Sequence, residues 1–300
     1  SIIGGAIFSF SRLRILSVSL ITIPLGLLPV SQITPIQNLM ADRYLLIPSI
    51  GLTWLTIVLF QYLQTKSTRS WMLCIVCSLP LSQITFERLQ IFQDDIRLWT
   101  DVTAKQPAEI GGWTTLAAFY REKGKLQQSD DILRSAAKHH GQHPKILLAY
   151  GMNALKAGNL PEAEFNFANA WASDTDLREA GNNLAWVLQK RDTERSITVA
   201  TQVTSLHPLY ATGWDTLGNS CLLAKNWSCA TSAFERAIEI DPYRIDTYAN
   251  LGSLFYLQED WQQAAFWWHQ TLVLNPAHAY AQQGLEAIHQ TTMSDMPIVP

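Results

Sequence analysis

Asp42 and Arg43, followed by Tyr44, stand where the chain enters an almost purely apolar run, NLMADRYLLIPSIGLTWLTIVLF, residues 38–60. An acid beside a base at such a boundary either caps and orients a helix or belongs to a site at its edge. Cys221 and Cys229 would close a short loop as a disulfide in an oxidising compartment, or sit as free buried thiols. Cys74 and Cys77 have the CxxC spacing but fall in an apolar stretch, where packing is the expected role. The run HHGQHP, residues 139–144, offers three histidines with no carboxylate or cysteine beside them, so no metal site is expected. Asn226-Trp227-Ser228 fits a glycosylation acceptor, although polar residues are also what a helix turn requires. The acid pairs Asp94-Asp95 and Asp130-Asp131 lie in amphipathic stretches and read as solvated faces or helix N-caps. No phosphate-cradling glycine loop, zinc-protease helix or nucleophile elbow occurs, and no cofactor is expected.

The elements that must position these groups divide into two chemically different parts. Through Phe86 there are five basic residues and one acid; the remainder holds 17 basic and 24 acidic residues. A strongly apolar first third and an acidic, water-compatible remainder predict a membrane domain over 1–86 followed by a soluble one, with nothing basic enough for nucleic acid. Residues 15–30, 44–63 and 71–86 are uncharged and read as three transmembrane spans, the outer two short for the purpose. Residues 2–10 read as the tail of a further span, and the chain as a carboxy-terminal fragment. The basic loops SRLR (11–14) and QTKSTRS (64–70) should face the cytoplasm. Asp42, Arg43 and everything after Phe86 then share the opposite side, periplasm or organelle lumen, with the protein embedded in a bacterial inner membrane or, in a eukaryote, the endoplasmic reticulum.

An internal repeat organises the remainder. LAAFYREKGKL (116–126), YGMNALKAGNL (150–160), LAWVLQKRDTE (184–194), LGNSCLLAKNW (217–227) and LGSLFYLQEDW (251–261) recur with a period of 34, shortened to 33 once. A small residue follows the first apolar one each time: Ala117, Gly151, Ala185, Gly218 and Gly252. Small residues at a crossing let helix axes approach closely, and a helix pair that cannot bury its apolar face alone must stack on copies of itself. The expected fold is therefore all-α: transmembrane helices followed by an α-solenoid. Residues 87–109 are predicted to form a linking amphipathic helix, 110–290 five repeats with a capping helix at 277–289, and 291–300 a disordered tail. Ile197, where a small residue is expected, marks the third unit as distorted. Trp267 and Trp268 are expected to pack on the capping helix.

This pattern resembles the tetratricopeptide repeat (TPR). That resemblance implies a groove lined by first-helix side chains that binds peptides. Mapped by position, its first half would carry Arg121, Lys145, Met152, Lys156 and Asn182. Trp186, Lys190, Asn219, Leu222 and Tyr256 would continue it. Basic side chains beside Trp and Met would suit an acidic or carboxylate-ended peptide, with ordinary solvated helix positions as the alternative.

Together, MADRYLLIPSIGL, the apolar spans and the repeats resemble the TMTC-like (transmembrane and tetratricopeptide-repeat) membrane glycosyltransferases of the GT-C type. The resemblance implies transfer of a sugar, mannose by expectation, from a polyprenyl-phosphate donor to a protein hydroxyl, with the repeats binding acceptor or partner proteins. Arg43 would then hold the lipid phosphate through its bidentate fork, oriented by Asp42. The catalytic carboxylates of that group lie in a first outer loop this chain does not contain. No general base is assigned, and the fragment alone is expected to be inactive. The other reading is a non-enzymatic, membrane-anchored TPR scaffold.

Overall fold

The computed structural model describes residues 94–294, with side chains through residue 290. The expected spans at 15–30, 44–63 and 71–86, together with Asp42, Arg43, Cys74 and Cys77, lie outside the described residues. Among the described residues there are twelve helices and no strand, and no helix is long and apolar enough to cross a membrane.

The first helix, α1 (Asp95–Lys105), starts where the Asp94 carboxylate accepts the Ile96 N–H at 3.0 Å. This is the N-cap role open to that acid pair. Five helix pairs follow: α2 (Ile110–Glu122) with α3 (Leu126–His140), α4 (Pro144–Lys156) with α5 (Leu160–Ser173), α6 (Arg178–Leu188) with α7 (Thr193–Leu206), α8 (Ala211–Leu223) with α9 (Trp227–Ile240), and α10 (Ile245–Leu257) with α11 (Trp261–Leu274). The last helix, α12 (Ala279–Ser294), runs past the boundary at 290 that the loss of periodicity suggested.

Each pair closes over a volume match. The small residue of the first helix faces one side chain of the second: Ala117 with Leu133, Gly151 with Phe167, Gly218 with Phe234, Gly252 with Trp268. All four partners are at most 2% exposed. A Cβ added at Gly151 or Gly218 would lie 2.5 Å from the facing ring, so the aromatic is admitted only because the glycine has none. Trp268 is held from both sides, since a Cβ at Gly252 or at Gly284 of α12 would strike its indole. It therefore packs on the capping helix as expected, whereas Trp267 turns back toward Tyr248, ring centroids 6.1 Å apart. Among the described residues the third pair is the exception, with Ala185 facing Ala200; there Trp171 of α5 fills the space above Gly181.

The turn within each pair explains the shortened period. Gly124, Gly158, Lys225 and Glu259 occupy the left-handed region, φ between +55° and +77°. The next N–H in each case reaches back to a carbonyl of the first helix at 2.8–3.0 Å, closing the helix end. The third turn has no left-handed residue, and Asp192 N–H bonds Leu188 C=O instead. The missing residue is the left-handed one, so the position expected at Ile197 is filled by Ser196, which is fully buried and donates to Ala185 C=O at 2.7 Å. The third unit is thus regular in its packing position and shortened only at its turn.

Joints between units are polar as well as apolar. Trp113, Trp214, Tyr248 and Gln282 each donate to a proline carbonyl six residues earlier, at 2.8–3.1 Å. Asn153 of the second unit donates to Ser129 (2.8 Å) and Asp130 (2.7 Å) of the first. Ser220 of the fourth meets Ser196 of the third at 2.7 Å. The buried ones, Asn153 on Ser129 and Ser220 on Ser196, fix which faces meet, because a slipped register would leave them unpaired.

Candidate functional site

First helices of successive pairs pack on one another, α2 on α4, α6 on α8 and α8 on α10, so these helices line the inner side of the stack. A cleft of about 340 Å³ opens among α2, α4 and the start of α6, lined by Thr114, Arg121, Lys145, Leu148, Ala149, Met152, Leu177 and Glu179. It brings together Arg121, Lys145 and Met152 from the groove mapped by sequence; Thr114, Leu148, Leu177 and Glu179 were not in that mapping. Met152 ties the two walls, its sulfur accepting from Asn183 Nδ2 at 3.5 Å.

The cleft is cationic and only partly hydrated. Burial lowers the Arg121 pKa, with Glu122 opposing, so this guanidinium has lost water without gaining a carboxylate bond. Its protein acceptor is the neutral Asn153 Oδ1, at 3.4 Å. Lys145 stands exposed opposite. Glu179, Asn182 and Trp186 follow at i, i+3 and i+7 on α6 and share one face of it. Trp186 is 51% exposed, a large aromatic presented to solvent. Asn182 is 9% exposed, and its Oδ1 is buried with no hydrogen-bond partner.

The remaining mapped residues are less available. Lys156 and Lys190 are exposed at helix ends. The Asn219 amide is engaged one turn back, on Asp215 C=O (3.0 Å) and carboxylate (3.3 Å). Leu222 is half-buried against the fourth-unit core. Tyr256 packs edge-on against Trp261 and near Trp268, centroids 5.1 and 5.5 Å away. Sequence mapping missed Asp215 altogether. It accepts from Thr247 at 2.7 Å and Asn250 at 3.4 Å, with Arg244 Nη2 at 3.9 Å, and so joins the fourth unit to the fifth. Burial raises its pKa, against the bonds from Thr247 and Asn250 and the charge of Arg244.

The other candidate groups have structural occupations. His139 stacks on Trp113, His140 donates to Pro107 C=O at 2.9 Å, and His143 Nδ1 caps α4 by accepting from Lys145 N–H. Among the described residues no group of three or more metal-ligating side chains converges. Asp130 accepts from Asn153, and Asp131 pairs with Arg134. Cys221 and Cys229 form a disulfide across the fourth turn, Cα atoms 5.8 Å apart, and Asn226 Oδ1 caps α9. A second cleft, about 400 Å³, lies at the turns before α10 and α12. Asp241 and Asn275 cap their own turns and His278 faces Asp246 at 3.8 Å, while the buried Arg244 Nε has no hydrogen-bond partner.

No family model matches the sequence, and no curated protein matches it. Solved structures do. The chain is similar to the APC/C heterotetramer Cut9–Hcn1 with a TM-score of 0.59 at 15% identity, over 95% of this chain and 54% of that one. It is similar to PilF of Pseudomonas aeruginosa with a TM-score of 0.54 at 16% identity, over 61% of this chain and 84% of that one. YrrB, described as a TPR protein with an unusual peptide-binding site, matches with a TM-score of 0.50 at 15% identity, over 63% of this chain and 97% of that one. At these identities the likeness establishes the fold, a TPR-type α-solenoid.

Proposed function

We propose that this protein is a docking module that holds an extended, acidic segment of a partner protein on the inner face of its first three repeats. The carrying observation is the cleft among α2, α4 and the start of α6. It joins a partly desolvated Arg121 and an exposed Lys145 to the apolar Leu148 and Met152, one helix away from an exposed Trp186. A cation without a carboxylate partner favours an incoming acid, and an exposed Trp is a residue type enriched in interface hot spots. The peptide-binding description of YrrB is consistent with this use of the fold. The test is an array of acidic and charge-reversed peptides probed with the 300-residue chain. Acidic peptides carrying an apolar residue should be retained. Trp186→Ala should weaken them at least tenfold, in the range of an interface hot spot of about 2 kcal/mol. Arg121→Glu should abolish the preference for acid. Equal retention of both peptide sets would sink the reading.

The same proposal carries a membrane setting and, through the 40–52 motif, a chemistry. Residues 1–86 would anchor the module, the repeats would lie in the periplasm or lumen, and the disulfide supports that placement because it needs an oxidising compartment. Arg43, oriented by Asp42, would hold the phosphate of a polyprenyl-phosphate sugar donor for transfer to the docked protein. This part rests on the resemblance of MADRYLLIPSIGL, since the described repeats bring no catalytic constellation together. In the full-length protein, Arg43→Ala is expected to reduce sugar transfer sharply while peptide docking stays intact. Unchanged transfer would remove Arg43 from the donor site and leave the non-enzymatic scaffold.

A further inference from the structure

The turns between units form one edge of the stack, and two of them hold a large apolar side chain out in water. Leu209, in the turn before α8, is 76% exposed; Tyr243, at the same position of the turn before α10, is 81% exposed. Leu206, also exposed at the end of α7, widens the first tip. Both tips are pinned: Pro208 C=O accepts from Trp214 Nε1 at 3.0 Å, Pro242 C=O from the Tyr248 hydroxyl at 3.1 Å, and Asp241 from Tyr243 N–H at 3.2 Å. A rigid tip loses little entropy when its side chain is covered. One exposed apolar side chain needs no explanation, but two on successive turns beside a cleft make a surface. That cleft, the one of about 400 Å³ next to Tyr243, is acidic. Its Arg244 is turned inward, Nη1 donating to Thr212 at 3.2 Å and Nη2 lying 3.9 Å from the Asp215 carboxylate. The Asp246 side chain is 89% exposed and meets the His278 imidazole at 3.8 Å, too far for a hydrogen bond. The turn before α6 adds Asp174 and the exposed Asp176, while Arg178 lies over the Tyr210 ring and pairs with Glu179. Along the edge the order is acid, apolar, then aromatic with acid.

We propose that this edge docks a basic amphipathic helix of a partner protein. An apolar side chain of that helix covers Leu206 and Leu209, and a basic one reaches the acids on either side. Successive turns touch through His207 on Thr175 C=O at 2.8 Å and Arg244 on Thr212, which sets them about 10 Å apart, the spacing of packed helices. A helix covers about 10 Å in seven residues and returns to nearly the same face. The three turns therefore fit a base, an apolar residue and a second base, each seven residues after the last. The second base lies over the Tyr243 ring with Asp246 behind it, so a cation–π contact adds to the charge pair. A lipid surface fits poorly, because anionic headgroups are repelled by the same carboxylates. The cleft of Arg121 and Lys145 selects the opposite charge. The two sites take different segments, and this one stands whether or not the inner face holds a peptide.

The probe is a synthetic helical peptide rich in alanine and glutamine, with Arg at its second and sixteenth positions and Leu at its ninth. Binding to the 300-residue chain is followed by fluorescence anisotropy. One control peptide carries Glu in place of both Arg; another has Leu moved two positions on, to the opposite face. The probe should bind about tenfold more tightly than either control. Tyr243→Ala and Leu209→Ser should each weaken it about tenfold, without lowering the melting temperature, because both side chains are exposed. Asp246→Lys should shift the preference toward the Glu peptide, and Arg121→Glu on the inner face should change nothing. Equal binding of probe and controls, or loss of the probe in Arg121→Glu, overturns the proposal. So does an outcome in which no peptide binds and the two edge substitutions instead change the mass of the chain's own assemblies or its retention by phosphatidylcholine vesicles; the edge then covers a second copy or lipid.

Discussion

Phe234→Ala is expected to destabilise the chain by about 3–5 kcal/mol, because it empties a fully buried ring site and the surrounding helices relax only in part. That is a large share of the total stability of an ordinary domain, about 5–15 kcal/mol. The site forms only because Gly218 faces the ring, and a Cβ there would lie 2.5 Å from Phe234 Cδ1. Gly218→Ala therefore sets two effects against each other. Helix propensity favours alanine by about 1 kcal/mol, while forcing a methyl group into a filled core costs about 1–3 kcal/mol. The net change should be destabilising. Gly111, whose added Cβ meets nothing within 4 Å, is the internal control, and Gly111→Ala should stabilise by up to about 1 kcal/mol. The first unit already shows the alternative solution, Ala117 facing Leu133, both at most 1% exposed. The double variant Gly218→Ala/Phe234→Leu should thus cost less than the sum of its parts, measured by urea unfolding. Strict additivity would mean that the pairing of small and large residues is not what closes these units.

The repeat period carried the helix pairs into view because it records a packing requirement: each small residue is forced by the bulk opposite it. Bulk itself was not legible, since Phe234 lies on another helix and nothing in the spacing says which aromatic meets Gly218. The third unit shows a related blind spot. Aligning first helices revealed that one residue was missing but not where, and Ile197 took the blame for a left-handed turn residue absent before Asp192. For the groove, helical register mapped Arg121, Lys145, Met152 and Trp186 to one side; the first three line one cleft, and Trp186 stands exposed on α6 outside its lining. Register states a direction, not a partner. It could not show that the Asn219 amide is engaged by Asp215, that Tyr256 packs into an aromatic cluster, or that Asn182 alone of the buried asparagines has an unsatisfied oxygen.

Reduction of the Cys221–Cys229 bridge is expected to cost about 2.5 kcal/mol by the loop-closure entropy of so short a ring. The bridge spans the turn in which Lys225 is held at φ +55°, a conformation unfavourable for any side chain with a Cβ. It therefore ties α8 to α9 where the backbone between them is least content. Cys221 is fully buried against the core of the fourth unit, so Cys221→Ala also removes packing, and Cys229→Ala is the cleaner variant. In a linear stack each unit is stabilised mainly by its neighbours, and loosening the fourth weakens its joints to the third and fifth, including the Ser196–Ser220 and Asp215–Thr247 bonds. For a domain of this size the midpoint of thermal unfolding should fall by roughly 5–10 °C. The measurement is a melt with and without a thiol reductant, paired with mass mapping of the linked peptides from unreduced protein. An unchanged melt and two freely labelled thiols would show that the bridge does not form. A formed bridge in protein taken from cells would put the repeats in an oxidising compartment, as the proposed placement requires.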